Sequence, residues 1–236
     1  MKKKLTFIIL LVLFTFKMNY AQEQGNINGI NKDIQTNVPA SSLYSFDLSD
    51  KSIKGSVYIQ KSFMPAKLSL SDNKIYNLKY NAYSDEIEIE NEGGKPGALN
   101  KNIDDLLIVF TLGNKTYEAI DYVDEEGKTS RGYFVHVNNA NSKHQLLIKE
   151  TIQFLDRKPA KNSYDKTKPA QFKRLEDQYY ISNGSKAVVE FPKKKKDFPK
   201  VFPDKHKDIL SFMKKNKIKT SKEEDLVELI NYINTL

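Results

Sequence analysis

The chain has 236 residues, 39% hydrophobic and 29% charged, and 38 Lys and Arg against 30 Asp and Glu give a formal net charge of +8. That length suits one domain or a domain with an appendage. There is no cysteine, which excludes disulfides, thiolate metal sites and a lipid anchor on an N-terminal Cys.

The first segment reads as a targeting signal. Lys2, Lys3 and Lys4 are followed by an apolar run over residues 5–16, too short for a comfortable mature anchor. Ala21 offers a small residue for cleavage, so residues 1–21 are expected to be a signal peptide. The chain is then exported to the periplasm, the outer membrane or the medium. Loss of Lys2, Lys3, Lys4 and Lys17 leaves a net charge of +4. No later stretch approaches the ~18 apolar residues of a membrane helix. The remaining charge is split. Residues 81–126 hold twelve acids against three lysines, and residues 193–222 hold twelve lysines against three acids. Such asymmetry docks the two parts or steers a partner.

Residues 22–50 are polar and read as a disordered or loosely tethered lead. Within them Leu43, Tyr44, Phe46 and Leu48 suit a short strand or a tether. Residues 51–156 are expected to form a β-rich domain. Short strands are predicted over 57–60 and 66–70, then a strand, turn and strand over 74–90. There Tyr76, Leu78, Tyr80 and Ala82 share one face, and Ile87 and Ile89 alternate with Glu86, Glu88 and Glu90 on a wet one. Residues 91–100, rich in Gly, read as a flexible turn. Further strands follow over 106–112, 115–123 and 132–137. The longest is predicted over 145–155, where Glu150 breaks the apolar pattern and signals a bulge or a barrel rim. About eight short strands suggest a rolled sheet or small barrel. Aromatic content, with 13 Tyr and 13 Phe, leans the same way.

Residues 157–171 are basic and Pro-punctuated, and read as a linker at a domain boundary. In the 172–236 unit, Asn183-Gly184 predicts a two-residue type I′ hairpin with Tyr180 opposite Ala187. The tail is helical, with apolar stripes at Phe198, Val201 and Phe202, at Ile209, Leu210, Phe212 and Met213, and at Leu226, Leu229, Ile230 and Ile233. Asp197 suits a cap, and Ser221 with Glu224 suits a capping box. The fold class is thus α+β, mainly β: an antiparallel meander, rolled sheet or small barrel, then a β-hairpin and a C-terminal helical hairpin.

Recognisable catalytic motifs are absent. His136, His144 and His206 form no metal-binding pair, and the phosphate-loop ending is missing from the 93–97 glycine run. Asp104, Asp105, Asp121 and Asp124 suit solvated turns better than a cation site. Asp85, Glu86 and Glu88 suit a wet strand face better than the paired carboxylates of glycoside hydrolysis, and Asp85 and Glu86 are poor partners because neighbours on a strand point to opposite faces. No catalytic residue, metal or cofactor is expected. Lys193, Lys194, Lys195 and Lys196 carry no interleaved aromatics, which argues against nucleic acid. They fit docking to an envelope protein or an anionic envelope surface. Tyr80, Asn81, Tyr83 and Asp85 are the candidate binding surface, weighed against an Asx turn with its tyrosines packed on the sheet.

Tyr58, Ile59, Phe63, Pro65, Ala66 and Lys67, followed by Lys79, Tyr80, Asn81, Tyr83, Asp85, Glu86 and Glu88, form a pattern that resembles a family of secreted proteins of Bacteroidetes. Gly132-Tyr133-Phe134, the KPA sequence and the C-terminal 35 residues are similar to the same family. The resemblance implies an envelope or secreted protein and brings no known activity. The leading expectation is a non-enzymatic exported module that binds or assists another envelope component. Its rivals are an envelope hydrolase working through carboxylates and a purely structural domain docked by its helical tail.

Overall fold

A computed structural model describes residues 35–36, 52–71, 74–91, 96–124, 126–162, 164–185 and 187–236. The signal segment and the 43–48 strand lie outside the described residues. So does most of the polar lead.

The β-structure begins with β1 (Gln35–Thr36), a short strand inside the lead expected to be disordered. Next come β2 (Met64–Leu68), β3 (Ile75–Asn81), β4 (Glu86–Ile89), β5 (Gly97–Leu99) and β6 (Ile108–Phe110). Two long strands follow, β7 (Thr116–Val123) and β8 (Thr129–His136). The rest are β9 (Leu146–Lys149), β10 (Ile152–Leu155), β11 (Gln171–Arg174), β12 (Gln178–Ile181) and β13 (Val189–Glu190). Eleven of them form one antiparallel sheet in the order β1-β5-β4-β3-β2-β6-β7-β8-β9-β12-β13, and β10 with β11 makes a second, two-stranded sheet. The protein is mainly β, as its alternating sequence requires.

The period-two face of β3 packs as expected. Tyr76, Leu78, Tyr80 and Ala82 are all buried in the main core with Ile87 and Ile89. Leu78, Ile87 and Ile89 each contribute about 2 kcal/mol by leaving water. The opposite face is not uniformly wet: Glu88 is 1% exposed. The cover is the 57–60 segment, which is no strand. It meets β3 through a single Tyr58–Asn81 bridge and lays Tyr58 over the Lys79 ammonium, 3.9 Å from ring centre to Nζ. The 97–99 part of the glycine-rich turn is also ordered, as β5 on β4.

The long 145–155 strand is two strands in two sheets. β9 pairs with β8 and β12, while β10 pairs with β11. The break falls at Glu150, the residue that disturbs the apolar pattern. The segment expected to be a linker over 157–171 lies between β10 and β11, with Gln171 already in β11, and is tied by the Lys158–Lys168 bridge. Strand pairing therefore crosses the expected boundary, since β12 returns to the main sheet beside β9.

The hairpin after β12 also differs from its prediction. Tyr180 pairs with Glu190, not Ala187. Val188 is drawn to β7 instead, accepting from the Val123 N–H and donating to the Asp121 carbonyl. That single parallel bridge brings β13 toward β7. Strands β7, β8, β9, β12 and β13 thus curl around Phe134, Leu147, Tyr180 and Val188 without closing into a barrel.

The tail carries α1 (Phe198–Val201), α2 (His206–Lys215) and α3 (Glu223–Ile233). The predicted stripe of α3 is fully buried at Leu226, Leu229, Ile230 and Ile233. It packs with Phe198, Ile209 and Met213 onto Leu146 of β9 and Ile181 of β12. Helices α2 and α3 also stack Phe212 on Tyr232, 4.0 Å apart and 7° from parallel. Neither expected cap forms. Asp197 makes an ion pair with Lys200 instead, and α3 starts after Lys222 without a side-chain cap. Asp225 reaches back to accept the Lys219 N–H, so the 216–222 connection is closed from inside the helix.

Candidate functional site

The β3–β4 turn positions the first candidate residues. Asn81 is fully buried, and its Oδ1 accepts the N–H groups of Tyr83 and Ser84. This is the Asx turn set against a binding role in the sequence. Its Nδ2 donates to Glu88, 3.0 Å away, and Glu88 also takes Lys79 and the Tyr58 hydroxyl. Tyr83 packs edge-on against Phe172. Asn81 and Tyr83 therefore serve the turn and the core.

Tyr80 and Asp85 behave differently. Asp85 holds a left-handed backbone, φ 57°, tolerated by Asp because its short side chain can bond locally. That conformation aims the carboxylate at the end of β9. Asp85 Oδ1 accepts the Tyr80 hydroxyl at 2.7 Å and the Tyr133 N–H at 3.1 Å, and lies 2.8 Å from Lys149 Nζ. Lys149 also donates to the Tyr133 carbonyl at 3.1 Å. Its ammonium sits 5.0 Å from the centre of the Phe134 ring. Burial pushes the Lys149 ammonium below its ordinary range, and Asp85 opposes that shift. Lys101 lies on the solvent side, 3.6 Å from Asp85 and 3.2 Å from Glu86. Burial raises the Glu86 carboxyl against the pull of Lys101.

Gly132 makes room for this group. A Cβ there would lie 2.5 Å from Lys149 Nζ and 2.6 Å from Asp85 Oδ2. Tyr80 stands between two other phenols, its ring centre 5.1 Å from that of Tyr117 and 6.2 Å from that of Tyr133. Burial, reinforced by nearby carboxylates, raises all three phenols well above their ordinary range, so each stays a protonated donor. The buried Tyr133 hydroxyl has no hydrogen-bond partner among the described residues.

A second charged centre lies one residue on. Glu150, 2% exposed, takes Lys115 at 2.7 Å, Arg174 at 3.0 Å and the Tyr117 hydroxyl. Three donors satisfy a carboxylate whose burial alone would cost several kcal/mol. Sequence reasoning singled out Glu150 as a disturbance but did not reach Lys149, Lys101, Gly132 or Tyr133 as a group. The available signal was two charges, Lys149 and Glu150, set inside an otherwise apolar strand.

The candidate docking lysines are elsewhere. Lys193, Lys194, Lys195 and Lys196 are all exposed. Lys193 pairs with Glu190 at 2.6 Å. Lys193 and Lys194 rim an open groove floored by Phe191, Pro192 and Val201, with Glu190 and Asp197 at its side. The acids suggested for a cation are engaged otherwise: Asp104 and Asp121 both bind Arg131, and Asp124 caps the Glu126 and Lys128 N–H groups. Among the described residues no cluster of three His, Asp or Glu is arranged to hold a metal ion. No described helix is long and apolar enough to cross a membrane.

No family model, curated protein or solved structure matches the chain.

Proposed function

We propose that the chain is an exported, non-enzymatic envelope protein, a β-scaffold that presents a basic helical unit to an anionic envelope surface. The observation that carries this reading is where charge is consumed and where it is left over. The deeply buried Glu88 and Glu150, and the half-buried Asp85, each meet Lys or Arg within the fold. Two facing free acids, which hydrolysis through carboxylates requires, are not found among these. The tail instead leaves Lys194, Lys195, Lys196, Lys207, Lys214, Lys215 and Lys217 exposed. Each lysine near an anionic lipid surface is worth about 1 kcal/mol.

Export is supported by the basic and apolar residues of the first segment. The test is co-sedimentation of the folded chain with anionic and with neutral vesicles at low and high salt. Selective, salt-sensitive binding to anionic vesicles is expected, weakened more than tenfold when Lys193, Lys194, Lys195 and Lys196 are changed to Gln. Equal retention on both vesicle types, or no effect of the quadruple change, rejects the reading.

A further inference from the structure

The Asp85–Lys149 contact has the features of a reaction site more than of a surface ion pair. The amine and the carboxylate are 2.8 Å apart, with Lys149 8% exposed. Nothing intervenes, because Gly132 supplies no side chain where both groups lie. The rings of Phe134 and Tyr122 flank the amine at 5.0 and 5.5 Å. Asp85 Oδ1 receives two neutral donors, the Tyr80 hydroxyl and the Tyr133 N–H, which is the arrangement that stabilises an oxyanion. We infer that Asp85 and Lys149 condense to an intramolecular isopeptide bond, a covalent tie between the β3–β4 turn and the end of β9.

The step balances without a co-reactant. Proton transfer from Nζ to the carboxylate gives a free amine and a carboxylic acid. The amine lone pair attacks Cγ, forming the C–N bond and placing negative charge on Oδ1, which faces the Tyr80 and Tyr133 donors. A second Nζ proton passes to the Oδ2 hydroxyl, the C–Oδ2 bond breaks and one water leaves. Lys101, near Oδ2 and paired with Glu86, stands where that proton is relayed. Burial favours the free amine on Lys149. Holding the partners in contact replaces a bimolecular encounter with an intramolecular one.

The product also fits the hydrogen bonds already present. The new amide oxygen keeps the Tyr80 and Tyr133 donors, and the single remaining amide N–H keeps the Tyr133 carbonyl. A chain with no cysteine thereby gains a cross-link that needs no oxidant.

The experiment is a tryptic peptide map of the exported chain, purified from its producing cell and denatured before digestion. The expected result is a branched peptide joining residues 80–101 to residues 144–157, lighter than its two arms by one water, with no cleavage after Lys149. A Lys149→Arg chain is expected to give linear 80–101 together with separate 144–149 and 150–157 peptides, and to migrate more slowly in a denaturing gel. Recovery of linear 80–101 and a peptide ending at free Lys149 from the unaltered chain overturns the inference. So does a water loss confined to the 80–101 peptide, which marks a succinimide at Asp85. Each of these results is read on the unaltered chain, so it holds even if the variant fails to fold.

Discussion

Lys149 and Glu150 are neighbours in the chain, and both charges are buried against different partners, Lys149 on Asp85 and Glu150 on Lys115 and Arg174. Successive strand residues point to opposite sides. The pair therefore charges both sides of one strand end, and each side brings in a distant segment of opposite sign. Strand β9 ends there, and the chain turns into β10 with its Ile152 N–H on the Ala82 carbonyl. A disturbance in an apolar run thus becomes the junction of the two sheets.

Glu150 is expected to be the costlier of two carboxylates to remove. In Glu150→Ala the Lys115, Arg174 and Tyr117 groups lose a shared acceptor. Breaking a fully buried pair costs about 3–5 kcal/mol, but Lys115 and Arg174 are 35% and 48% exposed and can turn to water. A loss of about 2 kcal/mol is expected in urea unfolding. Glu90→Ala removes an exposed carboxylate that takes the Asn77 amide and is expected to change stability by less than about 0.5 kcal/mol.

Gly132→Ala tests the space over β8. The added methyl meets Lys149 Nζ, Asp85 Oδ2 and the Tyr122 ring, the last at 3.1 Å. Overpacking of this kind costs about 1–3 kcal/mol. Gly127→Ala is the control: its φ is +81°, with nothing within 4 Å of the added atom. It should lose only the backbone term, about 1–2 kcal/mol. The two differ in a second readout, since only Gly132→Ala should change the near-ultraviolet tyrosine signal.

His144 makes the tail junction sensitive to acid. Its backbone N–H donates to Asn234 after α3, Asn234 returns a bond to the His144 carbonyl, and the ring bonds the Ser182 carbonyl. Burial lowers its pKa from the ordinary 6.5, with Lys143 and Lys205 acting in the same direction. The folded state then binds fewer protons than the unfolded one between the lowered value and 6.5. Stability is full above 6.5 and falls as pH drops through that window. Urea midpoints measured from pH 7.5 to 5 should decline, and the decline should be smaller in His144→Gln.

Removing the tail should unsettle the sheet. Leu146 and Ile181 are 0% exposed, and α3 supplies part of their cover. A chain lacking residues 192–236 is expected to be poorly soluble, with faster amide exchange in β9 and β12. Within the intact chain, Leu229→Ala should cost about 3 kcal/mol through the cavity it leaves.

The start of α3 separates local pattern from actual geometry. Ser221→Ala should be neutral within about 0.5 kcal/mol, because no side chain caps this helix. Asp225→Ala should cost about 1 kcal/mol, because it loses the bond to the Lys219 N–H. Thermal unfolding of the two variants checks both.

Local pattern by itself determined the mainly-β class, the buried face of β3, the stripe of α3 and the Asx chemistry at Asn81. Alternation, helical spacing and short polar side chains act over a few residues, so one sequence suffices to read them. Tertiary structure alone decided that Glu88 is covered, that β12, beyond the 157–171 segment, pairs with β9, and that Val188 is taken by β7 so that Tyr180 meets Glu190. It also decided that Asp85 meets Lys149. These outcomes depend on partners far apart in the chain, and a charged side chain reads the same whether water or a counter-charge awaits it. Burial sets that choice, because a charge leaves water only where the fold brings its opposite within reach.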